Sequence, residues 1–228
     1  MGLVRPYGSG RSPRTSTAVK VDRFAARRLA GALLLSALAA CSEEEPTAEV
    51  SDGIYIGKLD GSDALVAVTV AGNDVVAYSC GGPLTIHMHT RWYRGTLSED
   101  SVELTSADGA TGTITFVGDS ISGALVQPDG QELALFDTAL KGSDTASGLF
   151  SVVDEGCRTG VIVKQDSPDV DAEVQGAWCG PAAVGDEDEI FSQVTPITPI
   201  EAGLTSLEIE VVDIDKQLTA VLVDPAEF

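Results

Sequence analysis

Apolar positions beyond residue 53 fall into short runs that alternate with polar residues or are rich in β-branched side chains. Successive side chains point to opposite faces of a strand, so this pattern predicts β-strands with at least one buried face. Clusters such as Asp60-Gly61-Ser62-Asp63 and Pro128-Asp129-Gly130 separate the runs and favour tight hairpin turns. No segment after Cys41 shows helical periodicity over ten residues.

The runs recur every 8–12 residues or so, a spacing typical of a sandwich or barrel. Short connections force each strand to pair antiparallel with the next one, as in a meander. We therefore predict an all-β fold, with an antiparallel meander over 53–141 that forms a small barrel or sandwich. Strands in 142–228 either close this domain or form a second, smaller one. The predicted strands are Ile54–Leu59, Ala64–Val70, Val75–Cys80, Leu84–Tyr93, Ser101–Thr105, Gly112–Val117, Ile121–Gln127, Glu132–Phe136, Leu149–Val153, Gly160–Lys164, Val174–Cys179, Ile190–Val194, Leu207–Val212 and Leu218–Val223.

The first 40 residues show a different pattern. A basic stretch, Arg23–Arg28, precedes an apolar run, Leu29–Ala40, which ends abruptly at acidic residues. The run fits the roughly 7–15 residues of a signal-peptide core and is too short for the about 20 that span a bilayer. We therefore predict a signal peptide over 1–40. Its first 20 residues make it unusually long, and our hypothesis is that translation begins at Val19 or Val21.

The signal ends in Leu38-Ala39-Ala40-Cys41, which resembles the lipobox of bacterial lipoproteins. The resemblance implies that Cys41 carries a thioether-linked diacylglycerol and that a peptidase cleaves just before it. We then expect Cys41 to anchor the protein in the cell membrane, on its extracytoplasmic side. Residues 41–52 are expected to form the lipidated Cys and an acidic, disordered tether.

Charge excludes one class of partner. Seven of the 14 basic residues but only one of the 35 acidic residues precede Cys41, so the remaining 188 residues carry 34 acidic and 7 basic side chains. So acidic a surface repels phosphate backbones, which excludes nucleic-acid binding.

Three cysteines follow Cys41, and an exported chain meets oxidising conditions, so one disulfide is expected. We favour Cys157–Cys179, on neighbouring predicted strands, with Cys80 as a buried free thiol. Spacing alone leaves the other pairings open.

His87-Met88-His89 is the most suggestive candidate for a metal site. On a strand, both imidazoles would share one face about 7 Å apart and offer two ligands to Cu or Zn. Two ligands alone make a weak site, and a solvent-facing strand is the simpler interpretation. The acidic run Asp186–Glu189 lacks the ligand spacing of a Ca²⁺ loop and is interpreted as a solvated loop.

Four aromatic residues, Tyr78, Trp92, Tyr93 and Trp178, either line a ligand cavity or fill the core. Trp92 and Tyr93 are adjacent, so on one strand they face opposite sides. The sequence has no nucleophile elbow, metalloprotease motif, phosphate loop or dinucleotide fingerprint, and we predict no enzyme activity and no cofactor.

Two segments, Val75–Gly82 and Arg91–Leu97, are similar to a pattern in uncharacterised exported proteins of high-GC Gram-positive bacteria. Gly148-Leu149-Phe150 and Gly160-Val161-Ile162-Val163 extend the resemblance, which covers about residues 53–165 and departs at Val161, where that family usually has Trp. It implies a small antiparallel β domain and no known activity. We expect a non-catalytic binding or envelope-structural lipoprotein; the alternatives are a Cu or Zn protein using His87 and His89 and a carrier of small apolar ligands in a barrel cavity.

Overall fold

A computed structural model describes residues 50–133, 137–180 and 190–228, in which nearly all regular structure is β. The predicted signal peptide, Cys41 and the run Asp186–Glu189 lie outside these residues. The strands are β1 (Gly53–Lys58), β2 (Leu65–Ala71), β3 (Asp74–Cys80), β4 (Arg91–Ser98), β5 (Ser101–Thr105), β6 (Thr111–Val117), β7 (Ser120–Val126), β8 (Glu132–Leu133), β9 (Asp137–Leu140), β10 (Gly148–Asp154), β11 (Cys157–Lys164), β12 (Glu173–Gly180), β13 (Ile190–Pro196), β14 (Ser206–Val211) and β15 (Lys216–Leu222).

The first sheet closes on itself. Its strand order is β6-β5-β4-β3-β2-β1-β9-β7-β8, every pairing is antiparallel, and β6 also pairs with β7. That additional pairing makes an eight-stranded barrel, with the short β8 added beside β7. The predicted meander is confirmed from β1 to β7, and β9 returns to β1 to complete the ring.

The second sheet is a smaller closed barrel of six strands, β10 to β15 in sequence order. β10 pairs with β15 through Phe150 opposite Leu222, which closes the ring. The predicted all-β fold with a second, smaller β unit is therefore confirmed.

Packed apolar side chains fill both barrels. In the first, Tyr55, Tyr93 and Phe116 lie among Val, Leu and Ile residues, and the rings of Tyr55 and Phe116 meet edge to face at 5.5 Å. In the second, Phe150 and Trp178 pack with the inward residues of the other strands.

The outer faces of the two barrels also pack against each other. Leu65, Tyr78 and Cys80 of the first barrel form one buried cluster with Leu149 and Ile162 of the second. Strands β2, β3 and much of β11 are therefore buried on both faces. This explains why they read as continuous apolar runs, whereas β6 alternates between buried and exposed positions. All described residues belong to one compact unit.

One predicted strand, Leu84–Tyr93, is wrong up to Thr90. Ile86–His89 forms a single turn of α-helix, α1, and β4 begins only at Arg91. The carboxylate of Asp63 accepts hydrogen bonds from the Leu84 N–H and the Thr85 hydroxyl, which holds the segment against the β1–β2 connection. The Thr85 carbonyl then accepts from the N–H groups of residues 88 and 89, each at 2.9 Å.

The predicted disordered tether extends too far. Val50 packs against the core of the first barrel, and Asp52 accepts a hydrogen bond from the Gly72 N–H at 2.8 Å. The carbonyl of Ser51 accepts one from the Tyr55 hydroxyl at 3.0 Å. Residues 50–52 therefore belong to the fold.

Candidate functional site

A groove of about 280 Å³ lies beside the junction of the two barrels. We call it the inter-barrel groove. Residues of both barrels line it, among them Tyr78, His87, Trp92, Arg158, Phe191 and the Cys157–Cys179 disulfide.

A stack of three rings adjoins the groove. Trp92 lies 4.3 Å from Tyr78 and 4.8 Å from Phe228, measured between ring centroids. The indole N–H of Trp92 donates to the carbonyl of Arg158 at 3.0 Å, which ties the first barrel to β11 of the second. Because the stack is held from both barrels, the groove has a fixed aromatic wall.

Gly160 makes this packing possible. A Cβ atom at this position would lie 2.5 Å from two ring atoms of Tyr78 and 2.7 Å from Cζ2 of Trp92. Residues 158, 160 and 162 share the outer face of β11. Because Gly160 has no side chain, the rings of Tyr78 and Trp92 can pack directly against the backbone of this strand.

Two arginines flank the stack. The guanidinium carbon of Arg158 lies 4.0 Å from the centre of the Phe228 ring, and that of Arg94 lies 4.8 Å from it. Burial, and secondly the charge of Arg94, lower the pKa of Arg158. Arg94 shares the outer face of β4 with Trp92, two residues away.

These arginines differ from every other basic residue in the described part of the chain. The other five each form an ion pair with a carboxylate: Lys58, Arg91, Lys141, Lys164 and Lys216. Within the same residues, neither Arg94 nor Arg158 does so. Among the described residues, these two neighbouring guanidinium groups therefore have no ion-pair partner, and Arg158 lines the groove.

The predicted disulfide between Cys157 and Cys179 is present, with a Cα–Cα distance of 5.8 Å. Cys80 is free and buried, also as predicted. Burial raises the pKa of its thiol to about 12, so it stays protonated and unreactive.

The two histidines do not share a face. On the helical turn, His87 is exposed with its ring 5.7 Å from that of Phe191, whereas His89 is buried with Nδ1 2.9 Å from the Ser62 hydroxyl. The strand geometry on which the metal hypothesis rested is therefore wrong. No group of three or more potential metal ligands occurs among residues 50–133, 137–180 and 190–228.

The pair of Ser62 and His89 is a Ser–His contact that sequence reasoning missed. The Ser62 oxygen accepts a hydrogen bond from the Ala64 N–H at 3.1 Å. The neighbouring Asp63 is engaged with Thr85, whose hydrogen bond lowers the pKa of that carboxyl. These contacts fasten α1 to the β1–β2 connection.

Trp92 and Tyr93 face opposite sides of β4, as their adjacency predicts. Tyr93 points into the first barrel and Trp92 out of it. Trp178 lies in the core of the second barrel, where its indole N–H donates to Asp154 at 3.0 Å. Only Tyr78 and Trp92 of the four candidates reach the groove.

Sequence reasoning did not single out Arg158 or Phe228. Phe228 lies beyond the last predicted strand, and its position beside Trp92 is a tertiary contact. Arg158 lies near the start of the strand Cys157–Lys164, and a charged residue so close to an apolar run was the one available signal.

Comparison with protein-family models, with curated proteins and with solved structures found no match to this chain. In the described ranges, no helix is long and apolar enough to cross a membrane.

Proposed function

We propose that this chain is a lipid-anchored, extracytoplasmic binding protein without catalytic activity, and that its ligand lies in the inter-barrel groove. The groove carries the proposal, because it combines an aromatic wall with the guanidinium group of Arg158, which has no carboxylate partner in the described part of the chain. Concave sites with apolar walls and a few polar groups are typical of small-ligand binding.

The size of the groove limits the ligand. At about 280 Å³, it lies near the lower end of the roughly 300–1,000 Å³ of small-molecule sites. It suits a compact ligand with one or two rings. Strands of both barrels and the disulfide hold the walls, so little ordering is needed on binding.

A fluorescent neutral dye, N-phenyl-1-naphthylamine, tests the groove. We expect a saturable rise in dye fluorescence that Phe191→Ala and Trp92→Leu each weaken. Val221→Ala, which removes an exposed apolar side chain on the second barrel, is the matched control and is expected to change nothing. Binding that is absent, or that is unaffected by both groove variants, would contradict the proposal.

Support for the lipid anchor comes from the lipobox-like sequence and the export pattern before it. The disulfide agrees with an oxidising compartment. Two or more acyl chains hold a protein firmly at a membrane, since each buried CH₂ contributes about 0.8 kcal/mol.

Radiolabelled palmitate tests the anchor. The wild-type protein is expected to carry label and to sediment with membranes, and Cys41→Ser to lose both properties. Equal labelling of the two proteins, or a wild-type product released into the medium, would refute the anchor.

A further inference from the structure

Arg94 and Arg158 bring two positive charges close together beside the groove. Their guanidinium carbons both lie close to the Phe228 ring, within about 9 Å of each other. Acidic residues outnumber basic ones, 35 to 14, yet Arg158 has no ion-pair partner within the described residues, and the positive charge of Arg94 helps to lower its pKa. Like charges held together are unfavourable unless an anion compensates them.

Arg158 also has few hydrogen-bond partners in the part of the chain that the structure describes. Its guanidinium makes one side-chain hydrogen bond there, from Nη1 to the Ser151 hydroxyl at 3.4 Å. A guanidinium has five N–H donors in a rigid fork that matches the oxygens of a carboxylate or phosphate. The remaining donors of this half-buried residue, at the edge of the groove, therefore suit an oxoanion.

Arg91 also lines the groove, but unlike Arg158 it forms an ion pair. Its guanidinium donates to the carboxylate of Asp108 at 2.6 Å. Arg158 is thus the cation of the groove that has no carboxylate partner among the described residues, with Arg94 adding a second positive charge nearby.

We propose that the ligand of the groove is an organic oxoanion: a compact aromatic or apolar body that bears a carboxylate, phosphate or sulfonate group. The body packs against Trp92 and Phe191, and the anionic group binds Arg158, with Arg94 strengthening the attraction. This inference rests on the proposed function and specifies its ligand class.

A pair of dyes tests the anionic group alone. Anilinonaphthalene sulfonate has the aromatic body of N-phenyl-1-naphthylamine plus one sulfonate. A charged hydrogen bond predicts that the sulfonate dye binds about tenfold more tightly than the neutral one. Its affinity is expected to fall with added NaCl, while that of the neutral dye stays constant.

Variants assign the effect. Arg158→Gln is expected to abolish the preference for the sulfonate dye, and Arg94→Gln, at an exposed side chain, to reduce it severalfold. Lys58→Gln makes the same change in net charge at a residue paired with Glu173 away from the groove, and is expected to keep the preference.

The outcomes separate this inference from the proposed function. If both dyes bind equally, or if Lys58→Gln loses the preference as Arg158→Gln does, the oxoanion is refuted and the groove stands. If neither dye binds, the proposed function fails as well. Should Arg158→Gln not fold, the salt series and Arg94→Gln decide the matter: a preference for the sulfonate dye that both leave unchanged overturns the inference.

Discussion

Replacing Gly160 with alanine probes the junction on which the groove depends. The new Cβ would lie 2.5 Å from Cε1 and Cζ of Tyr78, whose ring is buried between the two barrels. It would also lie 2.7 Å from Cζ2 of Trp92. Both rings are held in place, because each stacks on the other and Trp92 is also hydrogen-bonded to β11.

Two opposing effects set the magnitude. Overpacking of a filled interior costs about 1–3 kcal/mol. A Gly→Ala change restricts the unfolded chain and returns about 0.4–1 kcal/mol. We therefore expect Gly160→Ala to lower the free energy of unfolding by about 1–2 kcal/mol, which corresponds to a fall of roughly 2–8 °C in Tm for a chain of this size.

Thermal unfolding followed by circular dichroism measures this loss. Thr113→Ala, at an exposed position of β6, serves as the control and is expected to stay within about 0.5 kcal/mol of the wild type. In a Trp178→Phe background, Trp92 emission should also shift to the red as its ring is displaced. A Gly160→Ala protein as stable as the wild type, with unchanged Trp92 emission, would refute the tight packing of the two barrels.

Three further predictions follow from other parts of the molecule. Replacing Cys157 and Cys179 with serine should cost about 3 kcal/mol in urea unfolding, because the bond closes a loop with a sequence separation of 22; a loss below about 1 kcal/mol would contradict this. Burial lowers the pKa of His89 below its ordinary 6.5, so the folded state favours the neutral ring, and the free energy of unfolding should decrease as the pH falls through 6.5. Urea midpoints at about pH 7.5 and about pH 5.5 should differ less in His89→Asn than in the wild type, and equal differences would contradict this assignment. Hydrogen bonds from Lys141 and Lys164 lower the pKa of Asp166 to about 2. Asp166→Asn should therefore lower the free energy of unfolding by less than about 1 kcal/mol at neutral pH, and this difference should disappear as the pH falls from about 4 towards 2. A difference from the wild type that persists at pH 2 would contradict this prediction.

Alternation and turn residues predict most strands to within a few residues. Ser101–Thr105 is reproduced in full, and the disulfide partners lie on adjacent strands as expected. The sequence pattern did not resolve Asp137–Leu140, because a four-residue strand is too short for two-residue periodicity to stand out. Residues 134–136 of the predicted strand Glu132–Phe136 lie outside the described residues.

Local pattern also misled the reading of residues 84–90. Ile86, Met88 and the two histidines alternate as in a strand, but Asp63, more than 20 residues earlier, binds this segment and a helical turn forms. The relation between His87 and His89 thus depended on a contact that periodicity does not encode.

The groove also depends on tertiary contacts that sequence periodicity does not encode. The outward direction of Trp92 was predictable from its neighbour Tyr93, whereas its contacts with Arg158 and Phe228 required the packing of one barrel on the other. The two barrels also begin alike: Gly53 and Gly148 start the first strand of each, and a cysteine, Cys80 or Cys179, lies at or next to the end of the third.

The two tryptophans provide the most direct test of the groove. The indole N–H of Trp92 donates to Arg158 beside the groove, and that of Trp178 donates to Asp154 at the second barrel. In a ¹H–¹⁵N spectrum of the protein titrated with anilinonaphthalene sulfonate, the Trp92 indole resonance should move saturably while that of Trp178 stays in place. Movement of Trp178 alone, or of neither resonance at saturating dye, would contradict a ligand site between the barrels.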